Sequence, residues 1–277
     1  MKLKLGTIGG TLAMAAALAL APVGGAAIGG ESVKETARQL VDRHKDAVVL
    51  VEVVVNMKLS AGGQSREQER KFEANGTVIT AEGLTVVSNA SVDPTAALER
   101  MRMKADVSTS DVKIVTADGT ELEAEIVLTD KDLDLAFVRP KAAAKLPCVE
   151  LKKGPEPALL DTLVSITRLG RKANREPGAA LSEVLAVIHK PRTRYLASGQ
   201  IFQGCPVFTG TGELLGLALM QTDGAAGITV LPCEDVLEAF KQIGQKKEAK
   251  GDGEEAKPEA KAPPVDDPAA GDDKGAL

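Results

Sequence analysis

Few side chains of this 277-residue chain suit acid–base or nucleophilic chemistry, and those few lie far apart in sequence. There are two histidines, His44 and His189, and three cysteines, Cys148, Cys205 and Cys233. The cysteines lack Cys-x-x-Cys spacing, which argues against a zinc site, so we expect no metal and no cofactor. An exported chain can form one disulfide among three cysteines and leave one thiol free, but the spacing does not indicate which pair.

Neither histidine stands in a sequence context typical of a catalytic base. His44 falls on the apolar side of a predicted helix, and His189 ends a predicted strand just before Lys190 and Pro191. We interpret both histidines as structural. Ser198, followed by Gly199, would serve as a nucleophile only if the surrounding loop rearranged.

The elements that would position these residues are mostly short strands. Closely spaced apolar runs separated by turn signals indicate a β-sandwich or barrel, and the lack of long helices between them argues against a parallel α/β sheet. Helical periodicity predicts a first helix over 31–45 and a closing helix over 232–243 that ends before Gly244. The predicted strands cover residues 47–59, 77–80, 84–88, 112–116, 121–128, 135–138, 162–167, 180–189, 206–208, 214–220 and 227–231.

The two ends of the chain differ from its middle in composition. Lys2 and Lys4 precede an uncharged, Ala-rich segment with small residues at 25–27, a pattern typical of a signal peptide over residues 1–27. We therefore expect an exported protein that is periplasmic, in the cell envelope or secreted. If the segment were not cleaved, its length would allow a membrane anchor. Residues 245–277 are charged and rich in Ala, Gly and Pro, which predicts a disordered tail.

Two polar segments and the overall charge bear on partners. Residues 60–71 and 93–111 are predicted to be mobile, solvated connections, although the second carries Met101 and Met103 among basic residues and could contact a partner. The formal net charge of −5 argues against a nucleic-acid partner.

Three segments carry a resemblance to a known family. They are Val-Val-Ser-Asn-Ala-Ser-Val at 86–92, Thr-Asp-Lys-Asp-Leu-Asp-Leu-Ala-Phe-Val at 129–138 and Gly-Cys-Pro-Val-Phe at 204–208. In order and spacing they resemble V-V-T-N-A-H-V, T-D-x-x-x-D-L-A-V-L and the end of G-N-S-G-G-P-V-F in the protease domain of HtrA/Deg-type trypsin-like serine proteases. Further similar segments lie at 74–79, 81–84, 117–120, 124–127, 212–217 and 228–232.

The resemblance implies an all-β, trypsin-like double β-barrel over residues 31–243, with a short N-terminal helix and a closing C-terminal helix. The N-terminal barrel would span about 46–142 and the C-terminal barrel about 150–232. The PDZ module of the family has no counterpart, and the predicted tail stands in its place.

The same alignment of motifs implies that the catalytic residues are replaced. The positions of the family's His, Asp and Ser fall on Ser91, Asp134 and Gln203. A hydroxyl is not a general base near neutral pH, and a carboxamide is not a useful nucleophile. Asp134 is retained, and without its partners we interpret it as structural. We therefore expect a catalytically inactive relative.

The loop that would stabilise the oxyanion departs from the family pattern as well. Ile201 and Phe202 occupy the positions of a Gly and an Asn, and Cys205 replaces the last Gly. A β-branched residue is poorly suited to the backbone conformations that glycine adopts there.

Three functions remain open from the sequence. The first is a pseudoprotease whose cleft, lined by Ile201, Phe202, Gln203 and Gly204, binds a peptide or protein. The second is an active serine- or cysteine-type endopeptidase with a non-standard centre; a two-residue shift of the alignment would make Cys205 the nucleophile, but its base would be missing. The third is an envelope protein in which the barrel is a spacer and the tail makes the contacts.

Overall fold

The computed structural model describes residues 28–61, 64–221 and 227–251. The predicted signal peptide lies outside the described residues. No helix in the described part of the chain has the length and apolar character needed to cross a membrane.

The first half of the described chain forms a closed barrel preceded by a helix. The helix α1 (Ile28–His44) buries Ala37 and Leu40 and ends in a 3-10 turn, Lys45–Ala47. The strands are β1 (Val48–Ala61), β2 (Gln64–Val78), β3 (Thr85–Ser88), β4 (Lys104–Val115), β5 (Glu121–Asp130) and β6 (Leu135–Pro140). They pair antiparallel in the order β1-β2-β3-β6-β5-β4.

Strand alternation explains how this barrel is filled. The buried cluster inside it includes Val49, Val51, Val53, Val55 and Met57, every second residue of β1. Successive side chains of a strand point to opposite faces, so this period of two turns one face of β1 inward.

The second half of the described chain forms another closed barrel. Its strands are β7 (Thr162–Arg168), β8 (Pro177–Ile188), β9 (Arg194–Ala197), β10 (Pro206–Thr209), β11 (Leu214–Gln221) and β12 (Gly227–Pro232). Their antiparallel order is β10-β11-β12-β9-β8-β7. The helix α4 (Cys233–Gly251) follows at once and buries Val236 and Ala239.

The largest buried cluster lies between the barrels, not inside either one. It contains Phe137 of the N-terminal barrel and Phe208 of the C-terminal barrel, together with Leu40 of α1 and Val236 of α4. Burying side chains from both barrels and both helices in one core joins the two halves into one unit.

The predicted fold class, an all-β double barrel of the trypsin type with an N-terminal and a closing C-terminal helix, is confirmed by this architecture. Several boundaries were wrong. The predicted mobile connection over 60–71 is largely strand, because β1 and β2 pair as one long hairpin out to Ala61 and Gln64. Within 93–111 the chain forms the short helix α3 (Thr95–Arg100) and the first half of β4.

The remaining corrections concern one strand and the closing helix. The strand β9 had no counterpart among the predicted strands. Gly244 does not end α4, which continues to Gly251, so the first seven residues of the predicted disordered tail are helical. Residues 252–277 lie outside the described residues.

Candidate functional site

Three loops bring the predicted triad positions together at the junction of the two barrels. Ser91 lies in the short helix α2 (Asn89–Val92) that follows β3, Asp134 lies in the turn before β6, and Gln203 lies in the turn before β10. The Ser91 Oγ donates a hydrogen bond of 2.7 Å to Oε1 of Gln203. The positions of base and nucleophile are therefore joined to each other by a neutral hydrogen bond.

Asp134 is buried and its carboxylate accepts three hydrogen bonds. Its Oδ1 accepts from the backbone N of Ala90 at 2.7 Å, and its Oδ2 accepts from Ser88 Oγ at 2.5 Å and from the backbone N of Met220 at 2.7 Å. Its φ of 61° lies in the left-handed region, which Asp tolerates better than most residues. Asp134 thus ties α2 of one barrel to β11 of the other.

The electrostatic setting of Asp134 opposes ionisation. Burial raises the pKa of its carboxyl above the usual 3.8, while the donors from Ser88, Ala90 and Met220 and the more distant charge of Arg194 act in the lowering direction. No imidazolium or other cation forms an ion pair with this carboxylate among the described residues. It therefore has the contacts of a structural acceptor.

Ser88 is the member of the site that sequence reasoning missed. Its buried hydroxyl donates to Asp134, and its oxygen also lies 3.2 Å from Oε1 of Gln203. Ser88 therefore connects the retained carboxylate to the pair formed by Ser91 and Gln203. The signal was present, since Ser88 stands at the Thr of the V-V-T-N-A-H-V pattern three residues before Ser91.

One acceptor beside the site has no protein donor. The Oδ1 of Asn89 is buried and has no hydrogen-bond partner in the described part of the chain. Asn89 directly follows Ser88 at the start of α2, and its backbone N donates to the carbonyl of Asp134 at 3.0 Å.

The loop before β10 is held between the barrels by its backbone. Gly204 adopts φ +77°, and a Cβ at this position would lie 2.0 Å from the carbonyl oxygen of Asn75 in β2. The Gly204 N donates to the carbonyl of Ala218 at 2.7 Å, and Thr77 Oγ1 donates to the Gly204 carbonyl at 2.7 Å. Only glycine allows this close approach at positive φ.

The side chains of this loop differ in exposure. Ile201 is 6% exposed and packs in the interior of the C-terminal barrel, and Gly204 is buried. Phe202 and Gln203 are partly exposed. Of the four residues predicted to line the cleft, these two present side-chain surface to a ligand.

The three cysteines are free thiols, so no disulfide joins any pair of them. Cys148 is exposed, whereas Cys205 and Cys233 are both completely buried, so the exposed thiol is separated from the other two. Burial raises the pKa of Cys205 to about 12. A nucleophilic cysteine needs its thiolate form and access to the substrate, and Cys205 has neither.

The two histidines lie in other environments. His44 stacks on Phe208 with ring centroids 5.0 Å apart, and His189 lines a cavity with Tyr195 on the C-terminal barrel. Since the chain has only these two histidines, the hydrogen-bond network around Asp134 contains no imidazole.

Ser198 forms two hydrogen bonds with the backbone of Glu183. Its N donates to the carbonyl of Glu183 at 2.8 Å, and its Oγ accepts from the N of Glu183 at 3.0 Å.

Within the described residues, no group of three or more His, Cys, Asp and Glu side chains could hold a metal ion.

A comparison of the sequence with protein families found a match that covers this site. A family model described as a trypsin-like peptidase domain matches residues 74–217, just over half of the chain, and the match contains Ser91, Asp134 and Gln203. A comparison with curated proteins found no match.

Proposed function

The chain belongs to the trypsin-like peptidase domain family, and from that membership we propose that it is a catalytically inactive member that binds an extended peptide or an unfolded protein segment in the cleft between its barrels. The hydrogen bond of 2.7 Å from Ser91 to Gln203 carries the proposal. It joins the two positions where a working member needs a base and a nucleophile.

Inactivity follows from what each group can do. Acyl transfer on this fold needs a base that takes the nucleophile's proton and a carboxylate that orients the base. Ser91 has no basic lone pair near neutral pH, and the carboxylate of Asp134 is occupied by Ser88 and two backbone N–H groups. Removing base and nucleophile together typically lowers turnover about 10⁶-fold.

The alternative, a cysteine-type endopeptidase centred on Cys205, is opposed by burial. The sulfur lies in the core between the barrels, and the pKa of about 12 leaves it protonated at neutral pH. Using it would require the loop from Ile201 to leave its packing. These features argue against a cysteine-type catalytic centre at Cys205.

Peptide binding is supported by the half of the Gln203 carboxamide that the network leaves open. Its Oε1 accepts from Ser91, while its Nε2 has no acceptor among the described residues. An amide N–H at a partly exposed position suits the carbonyl of an extended chain, and Phe202 beside it offers apolar surface.

The cellular setting is part of the proposal. The basic start and Ala-rich apolar stretch of residues 1–27 support export, with a periplasmic, envelope or secreted location. Retention of that stretch would instead attach the domain to a membrane.

The binding proposal is tested with carboxymethylated casein as an unfolded probe, by titration calorimetry on the wild type, Gln203→Ala and Gln200→Ala. We expect Gln203→Ala to weaken binding about tenfold, because it removes the open amide donor. Gln200 is exposed on the same loop and forms no side-chain hydrogen bond within the described residues, so Gln200→Ala should bind like wild type. Equal affinity of all three proteins would remove the cleft as the binding site.

A further inference from the structure

A second cavity lies on the C-terminal barrel and belongs to no part of the proposed cleft. It has a volume of about 520 Å³ and opens where the end of β8, the strand β9, the start of α4 and the segment 155–157 meet. Neither Ser91, Asp134 nor Gln203 lines it.

Tyr195 is a buried polar side chain that reaches this cavity. The residue is 3% exposed, it packs with the core of the C-terminal barrel, and it forms part of the cavity wall. Its hydroxyl has no hydrogen-bond partner among the described residues. The hydroxyl is not among the fully buried polar atoms, so it faces the space of the cavity, where it is available to a polar ligand atom.

Two carboxylates act on the same hydroxyl. Burial raises the pKa of Tyr195, and the negative charges of Glu156 and Glu234 raise it further. Both residues line the cavity and are exposed, and neither forms an ion pair with a described residue. Glu234 also suits the first turn of α4, but Glu156 has no such structural role.

The cation in the wall does not neutralise these two carboxylates. The guanidinium of Arg192 is held by Asp235 at 2.7 Å and by Glu238 at 3.0 Å. With Arg192 paired in this way, neither Glu156 nor Glu234 has a cationic partner among the described residues.

Much of the remaining wall is apolar, and His189 and Thr193 also line the cavity. Pro155, Pro157, Val187 and Pro232 line the same space. A ligand that matches both parts of the wall has a positively charged group with several N–H donors at one end. An aliphatic stem follows that group and contacts the apolar residues.

We propose that this cavity binds an organic cation, an ammonium or guanidinium group on an aliphatic stem, such as the Lys or Arg side chain of a peptide or a small alkylamine. The carboxylates of Glu156 and Glu234 bind the charged head, the Tyr195 hydroxyl accepts one of its hydrogen bonds, and the prolines pack against the stem. The site is independent of the proposed cleft function.

The chain provides its own reporter for the test. Tyr195 is its only tyrosine and it has no tryptophan, so tyrosine fluorescence reports on this cavity alone. The full-length protein is titrated with N-acetyl-lysinamide, N-acetyl-argininamide, butylamine and, as the uncharged match, N-acetyl-norleucinamide. We expect saturable fluorescence changes with the three cations, none with norleucinamide, and weaker binding as salt is added.

Variants separate the cation site from non-specific attraction. The double variant Glu156→Gln/Glu234→Gln keeps shape and removes charge, and we expect about tenfold weaker binding of the cations or more. Glu125→Gln, an exposed carboxylate on β5 of the other barrel, is the matched control and should bind like wild type. Tyr195→Phe keeps the ring and removes the hydroxyl, and calorimetry should show binding weakened severalfold.

The outcomes are distinguishable. Stronger binding of lysinamide or argininamide than of butylamine assigns the site to a peptide side chain, and equal binding assigns it to small amines. Binding of norleucinamide as strong as that of lysinamide, binding unchanged in the folded double variant, or no saturable change with any cation would overturn the proposal.

Discussion

The cleft between the barrels and the cavity on the C-terminal barrel both contain carboxyl and hydroxyl groups, but they use them in opposite ways. In the cleft, Asp134 accepts three protein hydrogen bonds and Ser91 donates to Gln203. In the cavity, Glu156 and Glu234 have no ion pair and the Tyr195 hydroxyl has no partner among the described residues.

This difference distinguishes polar groups that stabilise the fold from polar groups that are available to a ligand. A buried polar group whose partners are all protein groups stabilises the fold, whereas one left open at a cavity wall is available to a ligand. Under the proposed function, the position that corresponds to the family's catalytic site serves mainly as a structural joint between the barrels. The amide N–H of Gln203 is the open group that is partly exposed, whereas the unpartnered Oδ1 of Asn89 is buried.

The largest expected effect concerns chemical access to Cys205, the buried thiol in the core between the barrels. We expect iodoacetamide to modify Cys148 in the native protein and to alkylate Cys205 and Cys233 at rates roughly a thousandfold lower or more. Both of these thiols are buried, and their pKa values of about 12 leave little thiolate at neutral pH. Mass spectrometry of time points measures this. In denaturant all three cysteines should react at similar rates. Rapid labelling of Cys205 in the native protein would show that the loop before β10 leaves its packing.

The next prediction concerns the backbone of the loop before β10, which lies close against β2. Gly204→Ala should destabilise the protein by about 4 kcal/mol or more, because the new Cβ would meet the Asn75 carbonyl at 2.0 Å and φ is +77°. Gly199→Ala is the matched control, with φ +78° and no atom within 4 Å, and should cost about 1 kcal/mol. Denaturant unfolding compares them, and equal losses would mean that the loop is not pinned against β2.

The joint itself is tested at Asp134. Asp134→Ala leaves the N–H groups of Ala90 and Met220 without their acceptor, and we expect a loss of about 3 kcal/mol in the free energy of unfolding. The exposed Asp132→Ala on the same turn should change stability by less than about 0.5 kcal/mol. A loss as small as that for Asp134→Ala would contradict a structural role.

The pH dependence of the same variant follows from the raised pKa of Asp134. A carboxyl whose pKa is higher in the folded state binds its proton more tightly there than in the unfolded chain. Its contribution to stability is therefore fully present below the unfolded pKa and is lost as pH rises through the folded pKa. The stability gap between wild type and Asp134→Ala should be wider at about pH 4 than at about pH 7.

The smallest effects distinguish the two serines. Ser88→Ala removes a buried hydrogen bond to a carboxylate and should cost about 2 kcal/mol, while Ser91→Ala removes a neutral, partly exposed one and should cost about 1 kcal/mol or less. Denaturant unfolding of both variants measures the difference. The reverse order would place the main connection of the joint at Ser91 and Gln203.

Much of this fold could be predicted because the buried strands carry apolar runs between turn signals, and β1 is the clearest case. The hairpin beyond residue 59 was missed because β2 is largely exposed and charged there, and its pairing with β1 rather than its own apolarity makes it a strand. The strand β9 was missed because Arg194-Tyr-Leu-Ala is too short and too polar to stand out. Local composition cannot reveal an element stabilised by its neighbours.

The site was predictable to the same extent. The motif order identified Ser91, Asp134 and Gln203, which the fold brings together. Ser88 was missed because a serine in an apolar strand has no chemical signature until its partner is known. The cavity at Tyr195 was missed for a stronger reason: Glu156, Tyr195 and Glu234 are distant in sequence and form no motif.

Catalytic inactivity is tested by the turnover of an unfolded protein substrate. Purified wild type is incubated with fluorescently labelled casein beside Ser91→Ala, Gln203→Ala and Cys205→Ala, with trypsin as the positive control. We expect no release of label by wild type above the level of the three variants. Release by wild type that any one variant abolishes would contradict it and identify that residue as part of a working catalytic centre.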